Sequence, residues 1–386
     1  MDCGLYVHFP WCATRCTYCD FNTYVVENIP AERYTAAIVA EGEDRVGDWN
    51  RHRLQTIYFG GGTPSLWGAE GVGAVIQAAQ RWFSDRSALE ITLECNPAEA
   101  TPEALAELRE AGVNRLSLGV QSLDDGILSG LGRRHNSDTA RTAIANALAA
   151  GFDSVSADLM FGLPDQSLDR WRTDLAEVLD TGVPHLSVYH LTLEAGTAMT
   201  RDVGSGRIEL PTDDTQADMW EAIPEAIAPY GLALYEVSSA SKPGHESRHN
   251  TLYWSGRPYL GLGAGAHSLR LPASWDTPDA TADRQINRKH HLSFVSTVET
   301  AGSAVETTDA VDQLTHLRER MFTGLRRLEG LSLSAVALEV GLDPATHFAP
   351  VLADLQAQGL LTREDDRVAL TRRGLQYADD VFVKFF

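Results

Sequence analysis

Residues 6–24 read Tyr-Val-His-Phe-Pro-Trp-Cys-Ala-Thr-Arg-Cys-Thr-Tyr-Cys-Asp-Phe-Asn-Thr-Tyr, and three of the chain's five cysteines, Cys12, Cys16 and Cys19, fall inside that stretch. The C-x3-C-x2-C spacing follows directly on a β-like Leu-Tyr-Val-His-Phe segment, so one loop wraps three thiols around a common centre. Three thiolates are one short of a closed tetrahedral zinc site. His8 is the only neighbouring candidate for a fourth ligand, and zinc knuckles usually space their cysteines in pairs. A [4Fe–4S] cluster suits the set better, because three thiolates leave one iron open to an exchangeable small molecule.

Outward from this loop the chain alternates short apolar strands with helical stretches as far as residue 192. The strands read as Gly4–Phe9, Gln55–Phe59, Leu89–Glu94, Arg115–Val120, Ser154–Met160 and His185–Leu191, with helices near 31–47, 69–83, 102–111, 138–150 and 168–180. Apolar residues recur at helical spacing in Ala-Glu-Arg-Tyr-Thr-Ala-Ala-Ile-Val, and Thr101-Pro102 supplies an N-cap followed by a first-turn proline. Gly112 and Gly151 stand where helix C-caps belong. Six such alternations imply a parallel sheet with helical crossovers, an α/β fold of the partial (β/α)6, TIM-like barrel type.

In a barrel of this kind, chemistry collects at the C-terminal ends of the strands. The first strand ends in the cysteine loop and the second in Gly60-Gly61-Gly62-Thr63-Pro64-Ser65. The third ends in Glu94 and the fourth in Gln121; the fifth carries Asp158 near its end and the sixth Tyr189-His190. Six polar or glycine strand ends point to one shared pocket. Gly60–Thr63 lacks the spacing of a phosphate loop or a dinucleotide fingerprint. Its glycines permit close backbone approach to a polar ligand.

A polar connection and an amphipathic helix near 213–228 follow, then a strand over Leu232–Val237. Residues 243–268 are rich in glycine, histidine and aromatics, and a Pro/Asp/Thr stretch around 272–282 marks a loop or domain edge. Residues 306–386 read as a separate unit, with helices near 308–326, 333–340 and 346–358 and two short strands around an acidic turn. That arrangement resembles a winged helix. With thirteen acidic against nine basic side chains, it lacks the composition of a DNA-reading face and suits a packing or lid role. The domain reading is therefore a core barrel over 1–230, a barrel-edge strand and linker over 231–305, and the winged-helix-like unit over 306–386.

With 44% hydrophobic and 22% charged residues the composition is that of an ordinary globular protein, and no apolar run approaches membrane-spanning length. No basic-then-apolar signal peptide opens the chain, and cysteines committed to a cluster fit a reducing compartment; both predict a cytoplasmic protein. Cys3 and Cys95 read as strand residues. The net charge of −21 speaks against nucleic acid as a partner and against general binding to anionic membranes, though it leaves room for transient membrane association.

The C-x3-C-x2-C run resembles the signature of radical S-adenosylmethionine (SAM) enzymes, in which the amino and carboxylate groups of SAM chelate the open iron. That resemblance implies a [4Fe–4S] cluster on Cys12, Cys16 and Cys19. It also implies SAM contacts from Gly61, Gly62 and Thr63, and from Glu94, Gln121, Arg133 and Asp158, with Tyr6 and Tyr18 near the adenosine. Arg133 is favoured over its neighbour Arg134, although a surface ion pair is the plain reading of either. Tyr-Val-His-Phe-Pro-Trp-Cys, Gly-Gly-Gly-Thr-Pro-Ser, Arg-Leu-Ser-Leu-Gly-Val-Gln-Ser and Asp-Leu-Met-Phe-Gly-Leu-Pro resemble the oxygen-independent coproporphyrinogen III oxidase family and its haem-chaperone branch.

Three features point to the chaperone branch. Phe21 stands where the decarboxylase has a further cysteine. Only eleven residues precede Cys12, so the decarboxylase's long N-terminal extension is not expected. His249-Asn250-Thr251-Leu252-Tyr253-Trp254 resembles the HNxxYW motif of that branch. The resemblance implies that haem is bound and handed to acceptor proteins, among them respiratory or haem-storage proteins. Histidine is a standard haem ligand, and Arg248 and Arg257 suit propionates. His249 is one candidate ligand, with His245 and His267 competing, and the motif equally suits a packed, hydrogen-bonded cluster closing the barrel edge. The rival activity is radical oxidative decarboxylation of coproporphyrinogen III.

Overall fold

The structure, a computed structural model, describes every residue except Asn50, Ser87 and Pro278. Six parallel strands, β1 (Asp2–Phe9), β2 (Arg53–Gly61), β3 (Glu90–Cys95), β4 (Arg115–Gln121), β5 (Ser154–Phe161) and β6 (His185–His190), lie side by side in chain order. Each is followed by helix on the way to the next, through Ala31–Arg45, Gly68–Trp82, Pro102–Glu110, Ser137–Ala149 and Leu168–Asp180. These strands and helices coincide with the expected ones to within a few residues. The local reasons hold as well: Thr101 accepts from the Ala104 amide at 3.2 Å, and Gly112 and Gly151 take the left-handed backbone, φ 110° and 75°, just past their helices. Leu5, Val7 and Phe9 pack into one core with the helices, while the alternate residues Tyr6 and His8 face a cavity on the other side of the sheet.

The sheet extends beyond the expected strands at both edges and stays open. Past β6 lie β7 (Ala233–Glu236) and β8 (Ser239–Ser241); β8 runs antiparallel to β6. On the other edge β9 (Tyr259–Leu262) adds parallel to β1, with Gly4 opposite Tyr259, and β10 (His267–Arg270), β11 (Ala282–Asn287) and β12 (Val305–Val311) follow antiparallel. The expected helix near 308–326 is corrected here: residues 308–311 are the end of β12, and the helix is Gln313–Gly324, capped by Asp312 accepting from Thr315 N at 2.7 Å. The residues of β12 are mostly exposed, so the strand carries no apolar alternation to betray it.

Glu41 and Arg45, buried in the first helix, clamp this added edge. The Arg45 guanidinium donates to Glu41, to the Gly261 carbonyl and to Ser268 and Gln285, while Asn287 and the Gly263 amide donate to Glu41. The C-terminal residues build a second core around Leu317, Met321, Leu352 and Phe385, with a small sheet of β13 (Leu331–Ser332), β14 (Leu361–Glu364) and β15 (Arg367–Leu370). The two short strands and the acidic turn between them, at Asp365-Asp366, are where they were expected.

Candidate functional site

Beyond β1 the chain makes a loop closed on itself at residues 10–24, where Tyr24 N donates to Pro10 O at 2.7 Å and Cys12 N to Tyr24 O at 3.0 Å. Its far side is pinned by Thr17 N to Leu131 O at 3.1 Å and by Met199 N to Thr17 O at 2.9 Å. So held, Cys12, Cys16 and Cys19 all line one cavity of about 440 Å3 at the C-terminal ends of β1–β6. His8 is not a fourth ligand. Its Nε2 donates to Asn22 O at 3.0 Å, which leaves Nδ1 to accept from the Tyr6 hydroxyl at 3.0 Å. Burial pushes the Cys19 thiol up to about 11 and raises Cys12 too, with a hydrogen bond from Thr63 opposing. Iron would reverse this, since a coordinated thiol is deprotonated outright.

The glycine loop after β2 is built for the cysteine loop as much as for a ligand. A Cβ on Gly62 would sit 2.4 Å from the Trp11 carbonyl oxygen, and Gly61 takes φ 114° with the His8 ring 2.5 Å from where its Cβ would be. The amides are already engaged: Gly62 N donates to Phe9 O, Thr63 N to Trp11 O, and Gly61 N to Glu94 Oε2. The Thr63 carbonyl accepts from Leu66 N at 2.9 Å, which leaves the Gly62 carbonyl to meet a cationic donor such as an ammonium.

Opposite stands a row of polar side chains from β3 to β5. Glu94 accepts from Tyr58 Oη at 2.9 Å and from Gly61 N at 3.1 Å, and burial, reinforced by Asp158, pushes its carboxyl up to about 7. Asp158 accepts from Ser117 and Ser156, and burial raises it as well. Gln121 has φ 68°, at a break in the β4–β5 register, a conformation that costs a non-glycine residue roughly 1–2 kcal/mol. That bulge brings its amide to the cavity, where Oε1 is buried without a partner among the described residues. Arg133 donates to the Gly119 carbonyl at 2.7 Å and lies 3.5 Å from Cys16 Sγ, with its Nε unpartnered. Arg134 instead pairs with Glu99 at 3.2 Å.

Of the thirteen expected site residues, eleven line this cavity: the three cysteines, Tyr18, Gly61, Gly62, Thr63, Glu94, Gln121, Arg133 and Asp158. Tyr6 and His249 do not. Tyr6 stacks on Tyr58, centroids 6.2 Å apart, and faces a different cavity. His249 is fully buried in the helix Arg248–Trp254, its Nδ1 2.7 Å from Thr56 Oγ1 and its Nε2 2.9 Å from Tyr253 Oη, with its ring stacked on Tyr58. Both ring nitrogens are taken. Of the two readings of the motif, this geometry is that of the packed, hydrogen-bonded cluster.

The helix carrying it also lies under the opposite end of the sheet. Its Arg248 and His249 amides donate to Glu90, and Arg248 reaches Ala88 O and Gln55, all at strand beginnings. Sequence reasoning missed Tyr58, Ser117, Gly119 and Met160 on the cysteine cavity. The period-two alternation of a strand could have found them, since each lies two or four residues from a strand-end residue already singled out.

Residues 6–178 match the radical SAM superfamily and residues 311–377 the HemN C-terminal domain. The parallel sheet with three cysteines and a polar ligand cavity at its C-terminal edge is that of a radical SAM protein. The fold is that of coproporphyrinogen III oxidase (HemN) from Escherichia coli, with a TM-score of 0.82 over 100% of this chain and 90% of that one at 22% identity. Over nearly full length the chain is 34% identical to a Bacillus subtilis protein named heme chaperone HemW, covering 98% of each. It is 32% identical to the Escherichia coli protein of that name, covering 99% of this chain and 97% of the other. A mouse relative, radical S-adenosyl methionine domain-containing protein 1, mitochondrial, is 33% identical over 98% of this chain and 86% of its own. The chain belongs to the HemW family of radical SAM proteins.

A [4Fe–4S] cluster and SAM follow from that membership, and the cavity fits them. Three thiols offer the soft donor set of an iron–sulfur cluster. The orphaned Gln121 Oε1 needs a donor, which SAM's ammonium or ribose hydroxyls provide, and the orphaned Arg133 Nε needs an acceptor, which its carboxylate provides. No helix among the described residues is long and apolar enough to cross a membrane.

Proposed function

We propose that this chain is a haem chaperone: it binds haem and hands it to acceptor proteins, of which respiratory and haem-storage proteins are the expected class. The observation that carries the reading is the full-length likeness to proteins named heme chaperone HemW. Phe21 supports it. This exposed side chain stands on the rim of the cysteine cavity, at the position of the decarboxylase's further cysteine, and offers no ligand.

In this reading Cys12, Cys16 and Cys19 would hold the cluster, which would offer an open iron to SAM and serve with it as a structural or gating element. The Gly62 carbonyl and Glu94 receive the ammonium, Arg133 the carboxylate, and Asp158 and Gln121 the hydroxyls, while Tyr18 covers the adenosine. The C-terminal unit, which begins after β12 with the helix Gln313–Gly324, packs as a lid against the Arg248–Trp254 helix rather than reading nucleic acid. The test is an anaerobic haemin titration of the cluster-reconstituted chain, followed by Soret absorbance, beside an assay for decarboxylation of coproporphyrinogen III. Saturation near about one haem per chain with no decarboxylated product is expected. Absence of saturable binding, or turnover of coproporphyrinogen III, overturns the reading.

A further inference from the structure

A second cavity, of about 580 Å3, opens between β1, β10 and β11 of the large sheet and the helix Gln313–Gly324. Its size is that of a small-molecule site, roughly 300–1,000 Å3. Aromatic rings dominate its walls: Tyr6, Tyr259, Trp254, Phe322 and Phe386. Among them stand polar groups without partners. Trp254 Nε1, Arg320 Nη1 and both ring nitrogens of His316 are buried and unbonded among the described residues. His316 is only 1% exposed.

Buried polar groups are nearly always satisfied, so several orphans on one cavity mark a missing ligand. Trp254 and Arg320 can only donate, and a neutral imidazole also has a donor to give, so the missing ligand presents acceptors. The guanidinium of Arg257, on the same wall, makes no ion pair among the described residues, whereas Arg284 is paired with Glu319 at 2.8 Å and Arg320 with Glu339 at 3.1 Å, which leaves Arg320 only its Nη1 to give. Gly256 keeps Arg320 against this wall, for a Cβ there would sit 2.2 Å from Arg320 Cδ. His267, on β10, presents an exposed imidazole to the cavity.

We propose that this cavity is the haem seat, with His267 as the iron ligand and with Arg257, Arg320 and His316 receiving the propionates. The proposal rests on the haem-chaperone reading and adds to it the place and the residues. Flat apolar walls suit the macrocycle and unpaired donors suit carboxylates. The other candidate histidines are worse placed. His249 has both nitrogens engaged, and His245 sits beside Ser154, at the beginning of β5. The seat backs onto the cysteine cavity through one aromatic layer, since Tyr58 lines the one and Tyr6 the other.

The experiment is haemin titration of the full, cluster-reconstituted chain under anaerobic conditions, with His267→Ala, Arg257→Ala and the cavity-filling Thr323→Trp in parallel. His267→Ala should move the Soret maximum and weaken binding by about tenfold or more, and Arg257→Ala should weaken it by about fivefold with the spectrum unmoved. Thr323→Trp should abolish binding while iron content and SAM affinity stay at wild-type values. Stoichiometric haem binding by all three variants, with the wild-type spectrum and affinity, overturns this seat and leaves the chaperone reading standing. No saturable binding by the wild type overturns both.

Discussion

Replacing His249 with alanine tests the assignment of the family's marker motif to structure rather than to haem. The change removes a fully buried ring stacked 4.9 Å from Tyr58, and truncation of a buried aromatic costs about 3–5 kcal/mol. It also strands Thr56 Oγ1 and Tyr253 Oη, now 2.7 and 2.9 Å from the ring nitrogens, and an unsatisfied buried hydroxyl costs roughly 1–3 kcal/mol. These terms overlap, so we expect a loss of about 4–6 kcal/mol in equilibrium guanidinium unfolding.

The pH dependence gives a second reading. Burial pushes His249 down to about 3, so the unfolded chain binds a proton that the folded chain refuses. Its contribution is therefore full above the ordinary histidine range, near pH 6.5, and falls as the pH drops, by up to about 1.4 kcal/mol per unit. His249→Phe keeps the ring and removes the titration, so stability between pH 6.5 and 4 should fall less steeply by up to one proton. An alanine variant within about 1 kcal/mol of wild type, or a phenylalanine variant with an unchanged pH slope, refutes the reasoning.

Other outcomes follow from the cysteine cavity. Arg133→Ala should weaken SAM binding to the reconstituted protein by about tenfold or more in calorimetry, because it removes a charge-assisted donor. Arg134→Ala, which loses only an exposed pair to Glu99, should stay within about twofold. Glu94 holds its proton up to about pH 7, and an ammonium binds the carboxylate form. SAM affinity should therefore decline by up to about tenfold per unit as the pH falls below 7, and Glu94→Gln should flatten that profile. Gly62→Ala must push the Trp11 carbonyl away from a 2.4 Å clash, so iron content after reconstitution should drop together with about 1–3 kcal/mol of stability.

Much of this molecule is written locally. The six parallel strands and their helices carry their own periodicity, caps and glycine stops, and the three cysteines sit close enough in sequence for one loop to bring them to a single cavity. Strand ends then named most of the cavity, because every parallel strand delivers its last residues to the same side of the sheet. What the sequence left open depends on pairing between distant segments. Strands β9 to β12 are short, glycine-rich or exposed; they exist as strands because Gly4 meets Tyr259 and because buried Arg45 bonds Gly261, Ser268 and Gln285, more than two hundred residues away.

The same long-range register carried the HNxxYW helix beneath the strand beginnings, where His249 fills a hole between Thr56 and Tyr253. It also left, on the second cavity, both His316 ring nitrogens and Nη1 of Arg320, residues which no motif marks, without partners among the described residues. Residue type and spacing declare what a side chain can bond. Which partner it meets is decided by the burial and hydrogen bonding of segments that approach only when the whole chain has folded.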